Sequence, residues 1–355
     1  MTNKGAQFSF SDALLSWFDV HGRKQLPWQH PITPYRVWLS EVMLQQTQVD
    51  TVIPYFERFL ESFPTVEALA EADLDKVLHL WTGLGYYARA RNLHKCACIV
   101  ADEYQGNFPD DPELLIALPG IGKSTAHAIT SIAFGQPTAI MDGNVKRVLA
   151  RYHQVEGWPG TPKIEKQLWQ FADEHMPDHR CGDYTQAIMD LGATLCKRSK
   201  PNCNECPMSK QCKAYKNELT AELPHKKPKK AIPTKSTTML IARDPQDRLL
   251  INQRPPQGIW GGLWSFLEFD DATEALKHGQ SIGDVTHKES WSSIRHVFSH
   301  YKLDIHPLVV QITPSASINE KQQQWVTLEE ALALGLSAPV KRLIETLKQQ
   351  STSLI

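Results

Sequence analysis

Two carboxyl groups and four thiols stand out by residue type and spacing. Glu41 lies in Ser40-Glu41-Val42-Met43-Leu44-Gln45-Gln46-Thr47. On a helix it shares a face with Val37, Trp38 and Leu44. A carboxyl in an apolar stripe is desolvated, so its pKa rises and it can hold a proton near neutral pH. A surface glutamate is the plainer reading of the same residue. Asp142 falls between the apolar Ala139–Met141 and a helical Val145–Tyr152, where either it or Asn144 caps the helix. An aspartate near a helix N-terminus stays ionised. One protonated and one charged carboxyl is the pairing that cleavage of a glycosidic bond needs. Glu41 would give a proton to the leaving group, and Asp142 would stabilise or transiently bond the cationic sugar.

The thiols are Cys196, Cys203, Cys206 and Cys212, spaced C-x6-C-x2-C-x5-C, out of seven cysteines in all. An odd count without a secretory segment argues against a disulfide scaffold. Four thiolates hold either zinc or a [4Fe–4S] cluster, and spacing alone does not choose. Only Cys203 and Cys206 form the short knuckle that structural zinc uses in pairs, so iron–sulfur is the favoured reading. Lys197, Arg198, Lys200, Lys210 and Lys213 surround the four. They would present cations to phosphates, or simply solvate the loop.

Two glycine turns offer backbone to a ligand. Leu118-Pro119-Gly120-Ile121-Gly122-Lys123-Ser124-Thr125-Ala126 reads as a helix–hairpin–helix. Its second helix would point free N–H groups at a phosphate. A bare Gly-x-Gly is weak, and an ordinary helix joint accounts for it equally. The segment Gly83-Leu84-Gly85-Tyr86-Tyr87-Ala88-Arg89 gives the second turn. Tyr86, like Gln46, could wedge into a base stack, or could be a buried tyrosine at a joint.

The elements that must position these residues change character along the chain. A length of 355 residues suits about two domains, and 22% charged with 9% aromatic residues excludes a largely disordered chain. No apolar run approaches the length of a membrane span and Met1–Phe10 has no apolar signal region, so a cytoplasmic protein with no membrane partner is expected. The net charge of −1 leaves any nucleic-acid binding to a local basic patch. Helical spacing predicts a broken helix over Tyr35–Phe63, with Pro54 dividing it or opening its second part. Further helices are expected at Leu74–Leu80, Tyr87–Tyr104, Ser124–Phe134, Val145–Tyr152, Lys163–His175 and Asp183–Leu195. Residues 1–223 thus form an all-α domain. A Lys- and Pro-rich linker follows at 224–236, reading P-H-K-K-P-K-K-A-I-P-T-K from Pro224. Residues 237–355 read as α+β, with strands at Thr237–Ala242, Arg248–Gln253, Trp264–Phe269 and Tyr301–Ile312 and helices near Ala272–Lys277, Thr327–Leu334 and Pro339–Gln349.

Taken together, Leu26-Pro27-Trp28, Trp38–Thr47, Trp81–Arg91, Leu118–Ala126, Asp142–Leu149 and the four cysteines resemble the helix–hairpin–helix DNA glycosylases. Within them the likeness is to the MutY-type adenine DNA glycosylases, over essentially the whole chain. The resemblance implies a multi-domain protein: an all-α helix–hairpin–helix glycosylase domain with a [4Fe–4S] cluster loop at 196–212, then a Nudix-like 8-oxoguanine recognition domain. It implies duplex DNA carrying adenine·8-oxoguanine or adenine·guanine mispairs as partner, base flipping, hydrolysis of the N-glycosidic bond, and initiation of base excision repair by a monomer. Glu41 resembles the acid that protonates adenine N7 and orients or activates water. Asp142 resembles the residue facing the oxocarbenium ion, with Asn144 assisting. Gln46 and Tyr86 are similar to the residues that fill or probe the stack near 8-oxoguanine, Gly120, Gly122, Lys123 and Ser124 to the DNA-binding hairpin, and the four cysteines to the cluster ligands. Asp190 matches an acidic position of the adenine pocket, although a helix-face aspartate is the simpler account.

Endonuclease III-type relatives carry a nucleophilic Lys at the position of Ser124. Here the lysine is one residue earlier, at Lys123, and one residue turns a side chain by about 100° on a helix. Lys123 should point away from the pocket, so a monofunctional enzyme with little or no lyase activity is expected. In the C-terminal half, Leu249–Pro256 and Gly258–Phe269 resemble a Nudix fold, but the segment after Phe269 has only Glu274 where a metal-holding glutamate cluster would stand. Binding rather than hydrolysis is implied there. Phe298, Ser299 and His300 resemble the family's 8-oxoguanine-sensing loop, although spacing alone makes them a hairpin turn.

Overall fold

The computed structural model describes residues 8–228, 231–315 and 322–352. Met1–Gln7, and Lys229 and Lys230 of the linker, lie outside the described residues. The chain divides into two compact units, one of Met1–Ala70 with Lys95–Lys229, the other of Glu71–His94 with Lys230–Ile355. Glu71–His94, grouped with the helical half when read along the chain, therefore falls in the second unit. No helix of the described residues is long and apolar enough to cross a membrane.

The first unit is helical. The helix Pro34–Leu44 opens on Thr33, whose hydroxyl accepts from the Arg36 N–H, with proline at its first position. Trp38, Leu39 and Met43 on it are fully buried. It stops at Gln45, and Gln46 turns the chain with φ 59°. The next helix, Val49–Ser62, runs through Pro54. The expectation that Pro54 divides the helix or opens its second part is corrected: the left-handed Gln46 makes the break, and Pro54 lies inside the second helix. Pro54, the sixth residue of that helix, removes the bond its N–H would give to the Asp50 carbonyl without ending the helix.

Gly143–His153 opens on Asp142 and packs against Cys181–Thr194, Pro162–His175 and the short Lys213–Lys216. Leu149, Leu168 and Leu191 are wholly buried in the core they share with Phe10 and Leu14. Burying each such leucine stabilises the fold by roughly 1.5–3 kcal/mol.

The second unit is built on a mixed sheet of β1 (Thr234–Arg243), β2 (Leu249–Gln253), β3 (Trp264–Ser265), β4 (Leu267–Phe269), β5 (Gly283–Ser290), β6 (Ile294–Val297), β7 (Lys302–Pro314) and β8 (Gln323–Val326). The path β3-β2-β1-β7-β5 carries β4 on β1, β6 on β7 and β8 on β2. Only β1 and β7 pair in parallel among these strands, with Thr237 opposite Ile305 and Ile241 opposite Val309. The helix Ala272–Ile282 covers one face through Ala275. β1 begins inside the expected linker because Thr234–Ser236 pair with Lys302–Asp304 through backbone alone, which leaves no apolar trace in the sequence.

Candidate active site

One cleft of about 850 Å³ in the first unit is lined by Glu41, Gln46, Ser124, Asp142, Asn144 and Arg147, with Arg23, Trp28 and Gln186. Three elements put them there. Glu41 projects from Pro34–Leu44, Ser124 from the first turn of Lys123–Phe134, and Asp142 and Asn144 from the start of Gly143–His153.

Glu41 is half-buried, and among the described residues no donor hydrogen-bonds its carboxyl. Burial, reinforced by the nearby Asp142, pushes its pKa up to about 8. Asp142 behaves differently from the expectation of a simply ionised cap. It does cap its helix, its Oδ1 accepting from the Val145 N–H at 2.7 Å and Oδ2 from Asn144 Nδ2 at 3.1 Å. Burial nevertheless raises its pKa too, against the lowering pull of those bonds and of the Arg147 charge. The two acids are thus separated not by opposite shifts but by unequal compensation: Asp142 has donors and a cation, and Glu41 has neither.

Arg147 holds this wall in place. Its Nη2 donates to Asn144 Oδ1 at 2.8 Å and to the Gly192 carbonyl at 2.7 Å, while Nε donates to the Cys196 carbonyl at 2.6 Å. Gly192 lies so near that a Cβ there would stand 2.6 Å from Asn144 Cβ. Arg147 escaped the sequence reading, although its position three residues after Asn144 on one helix face was the available signal. Arg23 and Gln186 also escaped it. Both donate to Asp190, which is completely buried: Arg23 through N at 2.7 Å, Nε at 2.9 Å and Nη2 at 2.6 Å, Gln186 through Nε2 at 2.9 Å. Asp190 is therefore an anchor for two cleft residues rather than a helix-face acid.

Ser124 Oγ accepts from the Met141 N–H at 3.0 Å, tying the hairpin helix to the residue before Asp142. Lys123 does not line the cleft; its ammonium stands 4.1 Å from the Trp169 ring centroid. Gly120 and Gly122 also stay out of the lining. Gly120 turns with φ 79°, and Gly122 caps Lys123–Phe134 without a side chain.

Cys196, Cys203, Cys206 and Cys212 line a separate cavity in the first unit, walled by Val148, Tyr152, Leu191, Leu195 and Met208. All four are free thiols. Among the described residues no group of three or more His, Cys, Asp or Glu is placed to hold a metal ion. The buried Arg151 donates to Cys196 Sγ at 3.3 Å and to the Lys197 and Leu223 carbonyls at 2.8 Å.

The remaining candidates belong to the second unit. Tyr86 is exposed on a turn with φ 51°. Phe298 packs within aromatic contact of Trp260, His296 and Tyr301, and its N–H closes the β6–β7 turn on the Tyr301 carbonyl at 2.9 Å. Ser299 and His300 are exposed at the tip.

Residues 39–174 match the HhH-GPD superfamily base excision DNA repair proteins, and residues 238–346 match the NUDIX domain. The adenine DNA glycosylase of Buchnera aphidicola subsp. Schizaphis graminum is 39% identical over 346 residues, covering 96% of this chain and 99% of its own. The chain belongs to the adenine DNA glycosylase family. Its reaction is hydrolysis of the N-glycosidic bond of adenine in DNA, within base excision repair. The human adenine DNA glycosylase is 31% identical over 407 residues, covering 96% of this chain and 74% of its own. Among solved structures, that of a thermostable thymine-DNA glycosylase is 29% identical with a TM-score of 0.54, covering 59% of this chain and 95% of that one. In this adenine DNA glycosylase the cleft with Glu41 and Asp142 draws both acids from the part that matches the repair superfamily.

Proposed function

We propose that this adenine DNA glycosylase removes adenine paired with 8-oxoguanine or guanine in duplex DNA, by a monofunctional mechanism centred on Glu41 and Asp142. The observation that carries the reading is the cleft itself: Glu41, whose burial favours its protonated form, and a hydrogen-bonded Asp142 line one space large enough for a nucleobase. Adenine is extruded into it. Glu41 gives its proton to adenine N7, and the electron pair of the C1′–N9 bond leaves with N9. The ionised Asp142, oriented by Asn144 and Arg147, faces the oxocarbenium ion. Water adds to C1′ and returns a proton to the Glu41 carboxylate. Lys123, held over Trp169, attacks nothing.

The four cysteines are proposed to hold a [4Fe–4S] cluster. Their free thiols surround one apolar-walled cavity without closing on a single point, and the Arg151 guanidinium beside Cys196 offsets anionic charge. When bound, the cluster supplies a rigid tie for the loop 196–212. Gly120, Gly122, Lys123 and Ser124 are proposed to meet DNA phosphates, Gln46 and Tyr86 the base stack, and Phe298, Ser299 and His300 the 8-oxoguanine. The division proposed is 1–223 for excision, 224–236 as linker and 237–355 for recognition, in an intracellular monomer.

The test is base release from duplexes with adenine opposite 8-oxoguanine, guanine or thymine. Release is expected from the first two, fastest from the first. Equal release opposite thymine would refute the mispair reading.

A further inference from the structure

Tyr86 and Tyr87 are neighbours with opposite fates: Tyr86 is 52% exposed and Tyr87 only 7%. Tyr86 carries φ 51° directly after Gly85 at 70°. A residue with a Cβ persists in that conformation only where its surroundings over-determine it. The surroundings here lie within the second unit. Trp81 Nε1 donates to the Gly85 carbonyl at 3.1 Å, and Arg89 Nη2 donates to the same carbonyl at 3.3 Å. From the other side, the Tyr87 hydroxyl donates to the Leu336 carbonyl at 2.9 Å, and Arg91 Nη1 to the Gly261 carbonyl at 2.5 Å. Both acceptors lie in the same fold that carries Ser299 and His300.

We infer that Tyr87 is a positioning residue for mispair discrimination, its hydroxyl tying the turn that presents Tyr86 to the unit that carries Ser299 and His300. The aromatic offered to the base stack and the side chains offered to the opposing purine are then placed by one unit, so recognition of the purine and insertion of Tyr86 depend on each other. The inference rests on the reading that Tyr86 enters the stack. Replacing Tyr87 with phenylalanine keeps the buried ring and removes the hydroxyl that bonds Leu336.

The experiment is a double-mutant cycle on the full chain: Tyr87→Phe, Tyr86→Ala and the two together. Single-turnover adenine release is measured opposite 8-oxoguanine and opposite guanine. Tyr87→Phe is expected to lower the ratio of the two rates by about five- to tenfold, the worth of one hydrogen bond. In the Tyr86→Ala background it should lower the ratio no further. Equal slowing of both substrates, or an undiminished Tyr87→Phe effect without Tyr86, overturns the inference and leaves the hydroxyl a purely structural bond. If Tyr86→Ala alone leaves the ratio intact, the stack reading fails first and the role of Tyr87 falls with it.

Discussion

Arg147 and Asn144 share a hydrogen bond of 2.8 Å, and the same guanidinium reaches the backbone of Cys196. The amide that orients Asp142 is thereby fixed by a side chain that also grips the first cysteine of the loop. Truncation to Arg147→Ala is expected to slow single-turnover excision about ten- to hundredfold, the scale of losing charge-assisted bonds. Arg147→Lys should recover only part of the rate, since an ammonium cannot reproduce the planar fork. Full recovery by lysine would show that charge alone matters.

Glu41→Gln removes the proposed proton donor and should cost about 10²–10⁴ in excision rate, while duplex binding is retained. It should also stabilise the protein. Glu41 ionises near 4.5 when unfolded and near 8 when folded. Between those values the folded state holds a proton that the unfolded state has released, so stability falls as pH rises through the window and levels above 8. The accumulated penalty is at most on the order of 5 kcal/mol. The melting temperature of Glu41→Gln should therefore exceed that of the parent by more at pH 8 than at pH 5. A difference independent of pH would contradict the burial of this carboxyl.

Excision rate should trace a bell against pH. In the proposed mechanism Glu41 works protonated, so activity should be lost as pH rises through about 8. In the same mechanism Asp142 works ionised, so activity should be lost as pH falls through a value above the ordinary aspartate range. Single-turnover rates from pH 4.5 to 9.5 measure both limbs. A basic limb that survives unchanged in Glu41→Asp or moves with Lys123→Ala would assign it to another group.

How much of this was legible in the sequence differs by element. The Glu41 helix, the Asp142 cap and the hairpin were visible because capping chemistry and helical spacing are local. The position of Gln46 as the helix break was hidden behind the stronger local signal of Pro54. β5, β6 and β8 were missed because they are short or show mostly exposed, polar faces, so no alternation marks them. Arg23 meets Asp190 across 167 residues of chain, a distance that no local pattern spans, whereas Gln186 stands four residues before Asp190 on one helix, within reach of helical spacing.

Borohydride treatment during turnover should leave no covalent protein–DNA adduct, because the amine of Lys123 is held over Trp169 and the cleft presents Ser124. Ser124→Lys should create a trappable adduct, at some cost in stability from losing the acceptor for the Met141 N–H. An adduct with the parent protein that disappears in Lys123→Ala would reverse this assignment.

Replacing Cys206 by serine should abolish visible absorbance near about 400 nm, the signature of an iron–sulfur centre, and lower the melting temperature. Zinc in place of iron in the purified protein, by elemental analysis, would overturn the cluster proposal.

Where Gly192 faces Asn144, two helices meet with no room for a Cβ between them. On the proposed mechanism, spacing at that point matters to the reaction alongside the acids and the amide. A single added methyl would leave every charge and donor intact, yet push the assisting amide off the sugar it is proposed to attend. Damage to such an enzyme can thus arise from a gain of matter as readily as from the loss of a functional group.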